Sequence, residues 1–163
     1  MRKVIVIGSP GAGKSTFARS LKEKTGLPLH YLDNIWHLPD RSTISREEFD
    51  KKLMEILLSD SWIIDGNYNR TIEMRLQYCD TVFLLDYPME VCLEGARARV
   101  GKKREDIPWM EEELDPEFKS WIMDFPKTTL PRIYQLLEQY KEGKEIHIFK
   151  SREETKEYLD SFR

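Results

Sequence analysis

The chain has 163 residues, of which 40% are hydrophobic and 34% are charged, and its formal net charge is −3. This length predicts one domain, spanning 1–163, and the composition is typical of a soluble globular protein with a single core. A nearly balanced charge argues against a general nucleic-acid-binding protein, whose surface is basic, but it leaves room for a local basic patch.

The cysteine content and the short apolar runs indicate in which cellular compartment the protein is expected. Cys79 and Cys92 have neither metal-ligand spacing nor the pattern of a disulfide framework, so we expect a reduced, cytoplasmic setting. The apolar run at 4–7 is too short for the core of a signal peptide, and no segment approaches the length of a membrane span. We therefore expect no membrane contact, and we expect a monomer.

Strand and helix patterns alternate along the chain. Five short apolar runs predict strands, at 3–7, 28–32, 62–64, 81–85 and 145–149. Four of them are rich in Val, Ile or Leu with little alternation, which is typical of strands that are buried on both faces. Helical patterns separate the strands, and two of the helices begin with capping boxes at Ser45 and Ser151. The order predicts an α/β fold with a parallel sheet and right-handed crossovers.

The segment GSPGAGKS at 8–15 follows the first predicted strand and opens the first predicted helix. It matches the pattern G-x-x-x-x-G-K-[ST], in which glycines let backbone N–H groups turn towards an anion. The helix N-terminus adds free N–H donors and the positive end of its dipole. In this motif the lysine pairs with the β- and γ-phosphates and the serine hydroxyl binds Mg²⁺, so Lys14 and Ser15 take these roles here.

The predicted donor is therefore Mg²⁺-bound ATP. The residues expected to contact it are Gly8, Pro10, Gly11, Ala12, Gly13, Lys14, Ser15 and Thr16. A GTPase is the alternative, but GTPases typically carry an N-K-x-D signature, and no asparagine of this chain precedes a lysine.

The third predicted strand ends in WIIDGNYNR at 62–70. Ligands of open parallel sheets bind at the carboxyl ends of strands, and a carboxylate at Asp65 can hold Mg²⁺ beside Ser15, partly through water. Arg70 follows within reach, and its planar guanidinium can clamp an anionic acceptor. The alternative is a strand-ending turn with a surface arginine.

The second predicted strand ends in YLDNIWH at 31–37. Asp33 can orient or deprotonate an acceptor hydroxyl, or it can join the Mg²⁺ shell. The alternative is a helix N-cap, for which aspartate is a favoured residue. His37 can contact a phosphate or a hydroxyl, and Trp36 is either an acceptor contact or a core residue.

A basic segment, RARVGKKR at 97–104, precedes an acidic run at 111–117. Arginines of a closing lid can place positive charge over the transferring phosphoryl oxygens, and we expect Arg97, Arg99 and Arg104 to do so in a lid at approximately 97–117. A solvated helix face and a DNA contact are the alternatives. The acidic run would repel a DNA backbone unless it is held away from it.

An apolar stripe follows the acidic run. Its residues are Phe118, Trp121, Ile122 and Phe125, spaced i, i+3, i+4 and i+7. This spacing predicts a helix face that packs on the body of the protein. Asp115 and Pro116 are suited to the N-cap and first position of that helix.

With these motifs the whole chain resembles the adenylate-kinase-like P-loop kinases, and most closely the small bacterial proteins named DNA topology modulation protein. VIGSPGAGKST, LDNIWH, WIIDGNYNRT, TVFLLDYP and the segment at 102–127 carry the resemblance. It implies a P-loop NTPase fold of three α/β/α layers, in which a five-stranded parallel sheet has the order 2-3-1-4-5 and a short helical lid is present.

The resemblance also implies roles for residues. The D-G-x-x-R turn of these kinases binds the acceptor phosphate, and Asp65, Gly66 and Arg70 resemble it with one extra residue in the spacing. Arg97, Arg99 and Arg104 resemble the lid arginines. The loop at 150–152, which includes Lys150, resembles the backbone clamp for adenine.

Two functions of different classes are open at this point. The first is an ATP-dependent phosphotransferase that moves the γ-phosphate of Mg-ATP to a small, anionic acceptor, a nucleoside monophosphate or a hydroxyl-bearing metabolite. Catalysis would then depend on binding and electrostatics. The alternative, which the family name supplies, is an ATP-binding regulator of DNA topology with little or no kinase activity.

Overall fold

The computed structural model describes residues 1–102, 105, 107, 110 and 113–162. Within these residues five strands alternate with eight helices. The strands are β1 (Lys3–Gly8), β2 (Leu29–Tyr31), β3 (Trp62–Asp65), β4 (Thr81–Leu85) and β5 (Glu145–Phe149). The helices are α1 (Lys14–Thr25), α2 (Leu32–Trp36), α3 (Arg46–Leu57), α4 (Asn69–Leu76), α5 (Met89–Arg99), α6 (Pro116–Thr128), α7 (Leu130–Tyr140) and α8 (Arg152–Asp160).

The strands form one parallel sheet in the order β2-β3-β1-β4-β5, so the predicted α/β fold and strand order are confirmed. The register pairs Val6 with Asp65, Tyr31 with Asp65, and Gly8 with Leu85. The carboxyl ends of the three central strands and of β2 therefore meet at one edge of the sheet, where ligands of open α/β folds bind.

Helices cover both faces of the sheet and produce two apolar clusters. On β1, Ile5 and Ile7 belong to the cluster beneath α2, α3, α4 and α7. Val4 and Val6 alternate with them and belong to the cluster beneath α1, α5 and α8. All four side chains are fully buried, which explains why this strand shows a continuous apolar run instead of alternation.

Local signals in the sequence fix several helix ends. Ser45 and Ser151 accept hydrogen bonds from the N–H groups of Glu48 and Glu154, so both predicted caps are present. Gly26 ends α1 with a left-handed conformation, which glycine adopts at low cost. Asp115 caps α6 by accepting from Glu117 N–H, and Pro116 occupies the first turn.

The apolar stripe of α6 is only partly packed on the body. Ile122 and Phe125 are buried, one in each cluster. Trp121 is 39% exposed and faces the cavity described below together with Phe118. Among the described residues, no helix combines the length and the apolar character that crossing a bilayer requires.

Candidate active site

The segment that joins β1 to α1, residues 8–15, is called the phosphate loop here. Gly8 and Gly11 have φ angles of +152° and +81°. A Cβ atom on Gly8 would lie 2.3 Å from the carbonyl oxygen of Leu85, and one on Gly11 would lie 2.3 Å from that of Cys92. Both positions therefore require glycine, because backbone of β4 and α5 approaches the loop too closely for any side chain.

Two polar side chains of the phosphate loop face a carboxylate from β3. The hydroxyl of Ser15 donates a 2.6 Å hydrogen bond to Oδ2 of Asp65, which is only 5% exposed. The ammonium of Lys14 lies 3.3 Å from the carbonyl oxygen of Ser9. Burial lowers the pKa of Lys14, while the charges of Asp65 and, more weakly, Asp33 oppose that shift.

The donor set at this point fits a hard cation. A hydroxyl and a carboxylate are oxygen ligands of the kind that Mg²⁺ takes in phosphate-binding sites. The described residues contain no group of three or more His, Cys, Asp or Glu side chains that could hold a metal by themselves. Ser15 and Asp65 can therefore hold Mg²⁺ when phosphate oxygens and water supply its other ligands, as Mg²⁺ sites in nucleotide-binding enzymes commonly do.

The turn that follows β3, residues 65–68, is called the β3 turn, and it contacts both sides of the site. The buried side-chain amide of Asn67 accepts from Gly8 N–H at 3.0 Å and donates to the Gly8 carbonyl at 2.7 Å. The hydroxyl of Tyr68 donates to Oδ1 of Asp33 at 2.6 Å. Burial and the Asp33 carboxylate raise the pKa of Tyr68, so its phenol keeps its proton and holds Asp33 in place.

A fully buried arginine on α4 holds the backbone of the β3 turn. Arg75 donates from Nη1 to the carbonyl of Gly66 at 2.9 Å and from Nη2 to the carbonyl of Asn67. Its Nε donates to the hydroxyl of Thr71 at 3.2 Å. Burial lowers the pKa of Arg75 to about 10, which still leaves the guanidinium charged at neutral pH.

These elements surround one cavity of about 770 Å³. The phosphate loop forms one side of it, with Pro10, Gly11, Gly13, Lys14 and Ser15. The lining also includes Asp33, Trp36, His37 and Arg41 after β2, the β3 turn, and Phe118 and Trp121 of α6. A nucleotide phosphate chain and a small acceptor can therefore lie next to each other in the same cavity.

The segment between α5 and α6, which belongs to the predicted lid, contributes to the lining of this cavity. The carbonyl of Glu105 accepts from the side chain of Asn34 at 2.6 Å, and its carboxylate accepts from the hydroxyl of Tyr31 at 3.3 Å. Ile107 is buried and lines the cavity. The predicted lid therefore contacts the last residue of β2 and a residue of α2.

The predicted cationic residues differ in where they lie. Arg99 lines the cavity, and its guanidinium lies 5.4 Å from the ring centroid of Phe118. Arg97 is exposed and is not among the described residues that line the cavity. The same is true of Arg70, which forms a two-pronged ion pair with Asp50 of α3 at 2.8 and 3.0 Å. Arg104 lies outside the described residues.

Some of the residues that were predicted to contact ATP are also not among the described residues that line the cavity. Gly8 and Ala12 are buried within the loop, and Thr16 is exposed at the start of α1. Lys150 is bonded to Asp86 at 2.5 Å and to the hydroxyl of Tyr134 at 3.0 Å, and these hydrogen bonds raise its pKa. It borders a separate, shallower pocket, so its predicted contact with the adenine ring stays a prediction.

Sequence reasoning missed four residues of the site: Arg41, Asn67, Tyr68 and Arg75. Arg41 follows α2, and the motifs gave no signal for it. A signal for Arg75 was present, because it belongs to the buried face of α4 with Thr71, Ile72 and Leu76. An arginine on the apolar face of a helix must find hydrogen-bond partners inside the protein.

Comparisons with known proteins agree with this geometry. Over 96 residues, 56% of this chain, the sequence is 34% identical to an adenylate kinase of Thermotoga neapolitana, of which it covers 42%. It is 33% identical over 104 residues to an adenylate kinase of Thermosipho melanesiensis, covering 61% of this chain and 47% of that protein. The chain thus spans less than half the length of these relatives. No family model matches it.

Solved structures show the fold. A shikimate kinase from Acinetobacter baumannii in complex with shikimate aligns with a TM-score of 0.57 and 17% identity, over 98% of this chain and 90% of that one. A shikimate kinase from Bacteroides thetaiotaomicron aligns with a TM-score of 0.53 and 18% identity, over 96% and 93%. The chain therefore has the α/β fold of P-loop kinases. These relatives do not address the resemblance to DNA topology modulation proteins, which stays a prediction.

Proposed function

We propose that this protein is an ATP-dependent phosphotransferase that moves the γ-phosphate of Mg-ATP to a small acceptor. The observation that carries the proposal is the shared cavity, in which the phosphate loop faces a wall of acidic, basic and aromatic side chains. The sequence similarity to adenylate kinases supports ATP and Mg²⁺ as donor and cofactor. No observation among the described residues favours the alternative of a regulator of DNA topology.

On the donor side, each residue has a chemical task in this proposal. The N–H groups of the phosphate loop and the ammonium of Lys14 bind the phosphate oxygens. Ser15 and Asp65 would hold Mg²⁺, which would supply positive charge to the phosphate groups of the nucleotide. Arg99 also lines the cavity and adds a second positive charge near Lys14. Because phosphoryl transfer needs little covalent help, positioning and charge supply most of the catalysis.

On the acceptor side, the proposed acceptor is a small anionic molecule, either a nucleoside monophosphate or a hydroxyl-bearing metabolite. Arg41 lines this side of the cavity and can pair with an anionic group. Asp33, which the Tyr68 hydroxyl orients, can accept the proton of an attacking hydroxyl. A phosphate acceptor is already a nucleophile, and it would use Asp33 only for orientation. In this proposal Arg70, Arg97, Arg104 and Lys150 stay predictions from the sequence.

The experiment that tests the proposal is ADP release from Mg-ATP. It is run with protein alone and with matched panels of nucleoside monophosphates, nucleosides and small hydroxy acids. We expect one acceptor to raise the rate at least about tenfold by occupying the cavity. Lys14→Ala should abolish that rise. ATP binding without stimulation by any class of acceptor would contradict transfer to these acceptors.

A further inference from the structure

The phosphate loop starts where β1 no longer pairs with β3 but still pairs with β4. On the β4 side the ladder continues to the pair Gly8–Leu85, and Ser9 N–H donates to the Leu85 carbonyl at 3.0 Å. On the β3 side the paired register ends at Val6–Asp65, with a last hydrogen bond of 3.2 Å from Gly66 N–H to the Val6 carbonyl. The next backbone groups of β1 that face β3 are those of Gly8.

The side chain of Asn67 takes the place of that missing backbone. A primary amide carries one acceptor and two donors, so it can pair with a backbone N–H and C=O at once. Asn67 does so with Gly8, at 3.0 and 2.7 Å, and it is only 4% exposed. Without this amide, two backbone polar groups of buried Gly8 would lack these partners, which is costly away from water.

In the β3 turn, backbone carbonyls bond to Arg75 instead of to Gly8. The carbonyls of Gly66 and Asn67 both accept from the guanidinium of Arg75. A regular parallel ladder would direct a carbonyl of this segment at Gly8 N–H. Arg75 thus bonds to the β3 turn in the conformation in which the Asn67 side chain lies against the loop.

We propose that Asn67 and Arg75 are positioning residues that set the shape of the phosphate loop for nucleotide binding. Asn67 acts on the loop directly, through the backbone of Gly8. Arg75 acts through the β3 turn, and it therefore also positions Asp65, which hydrogen-bonds Ser15 at 2.6 Å. The inference rests on the proposed function only in requiring that the loop binds nucleotide phosphates.

The test is calorimetric titration with ADP, first in EDTA and then with Mg²⁺, so that no acceptor is needed. The variants are Asn67→Ala, Arg75→Lys and Arg75→Met. The matched control is Leu137→Ala, a buried residue of α7 in the apolar cluster on the face of α3 and α4, away from the phosphate loop. Thermal unfolding of each variant separates a loss of stability from a loss of binding.

We expect Asn67→Ala to raise the Kd for ADP in EDTA about tenfold, because two hydrogen bonds that shape the loop are lost. The gain in affinity from Mg²⁺ should persist in this variant. Both Arg75 variants should raise the Kd and also reduce the gain from Mg²⁺, since Asp65 is then less well placed. Leu137→Ala should lower the Tm and leave the Kd of ADP as in the wild type.

The inference is overturned if folded Asn67→Ala binds ADP as the wild type does, or if Leu137→Ala weakens binding as much as Asn67→Ala. If Arg75→Met does not fold, Arg75→Lys decides the role of Arg75, because lysine keeps the charge but cannot reach both carbonyls. A wild-type protein that binds neither ADP nor ATP would overturn the proposed function itself, and with it this inference.

Discussion

The hydroxyl of Ser15 and the carboxylate of Asp65 lie 2.6 Å apart, joining the first turn of α1 to the end of β3. The two residues are 50 positions apart in the chain, and the parallel sheet brings them together because β1 and β3 are neighbours. A hydroxyl and a carboxylate side by side, next to Lys14, form the polar centre of the cavity. The first prediction concerns this pair.

Asp65→Asn keeps the shape of the side chain and removes its charge. We expect turnover of Mg-ATP with the identified acceptor to fall about 10²-fold, because the amide is a poor ligand for Mg²⁺. Binding of ADP in EDTA should be retained, since the phosphate loop does not need the charge of Asp65. Glu138→Gln, on the exposed face of α7, is the control for removing a carboxylate elsewhere. Equal rates in the two variants would contradict a metal-holding role.

The hydrogen bond from Tyr68 to Asp33 gives a second prediction. Tyr68→Phe removes the hydroxyl but keeps the ring, whose centroid lies 5.3 Å from that of Phe49 in a stacked arrangement. We expect a rise in the KM for the acceptor or a fall in kcat of about tenfold, as Asp33 loses its orientation. The Kd of ATP should not change. The rates of the variant are compared with those of Asp33→Asn, and an unaffected Tyr68→Phe would show that Asp33 needs no such support.

The parts of the site that could be predicted from the sequence are those that local pattern determines. The phosphate loop is contiguous, and each of its three glycines has a positive φ angle, which glycine adopts at low cost. Asp65 was predictable because it ends a buried strand, and the sheet order brings strand ends together. The three central strands were predictable because burial on both faces leaves continuous apolar runs, as in Val4 to Ile7.

The parts that were missed depend on tertiary contacts. Asn67 and Arg75 matter because the backbone of Gly8 and the carbonyls of the β3 turn need partners. The apolar face of α4 signals that Arg75 is buried, but the sequence does not show which backbone groups it bonds. Arg70 is a different case, because its predicted role as an acceptor clamp stays a prediction. The resemblance indicates an acceptor clamp, but with one extra residue in the spacing the structure pairs Arg70 with Asp50 on the surface of α3. Only the folded chain shows which arginines face the cavity.

A third prediction compares two glycines with similar backbone conformations. Gly11 has a φ of +81°, and an added Cβ would lie 2.3 Å from the Cys92 carbonyl; Gly143 has a φ of +76° and open space around it. Gly143→Ala should cost about 1 kcal/mol of unfolding free energy, from backbone strain alone. Gly11→Ala adds a clash with helix backbone, so we expect a loss of about 3 kcal/mol together with weaker ADP binding. Urea unfolding measures both, and equal losses would contradict the close approach of α5.

A fourth prediction concerns acid stability. Burial alone would raise the pKa of Asp80, but hydrogen bonds from the Thr81 hydroxyl and from the N–H groups of Lys3 and Arg2 outweigh it and lower the pKa below its ordinary value of 3.8. The stabilisation is therefore fully present above about pH 4, and it is lost as the pH falls through the lower pKa of the folded state.

Asp80→Asn should consequently be less stable than the wild type at neutral pH, by about 1 kcal/mol after allowance for solvent screening. The gap should close as the pH falls from about 4 towards 2. Urea unfolding midpoints of the wild type and of Asp80→Asn, determined at several pH values from about 2 to 7, measure this gap in stability. A gap that is constant over the whole range would show that the charge of Asp80 is not responsible.

The last prediction separates two arginines as partners of the acceptor. Arg41 lines the cavity, and Arg70 is not among the described residues that line it. We expect Arg41→Ala to raise the KM for an anionic acceptor about tenfold, because a charge-assisted hydrogen bond to the acceptor is lost. Arg70→Ala should leave that KM unchanged and reduce stability by less than about 1 kcal/mol, since the pair is exposed. Steady-state kinetics with the acceptor varied at saturating Mg-ATP decide between them. If Arg70→Ala raises the KM instead, Arg70 must leave Asp50 when the acceptor binds, and the role that the sequence indicated for it is restored.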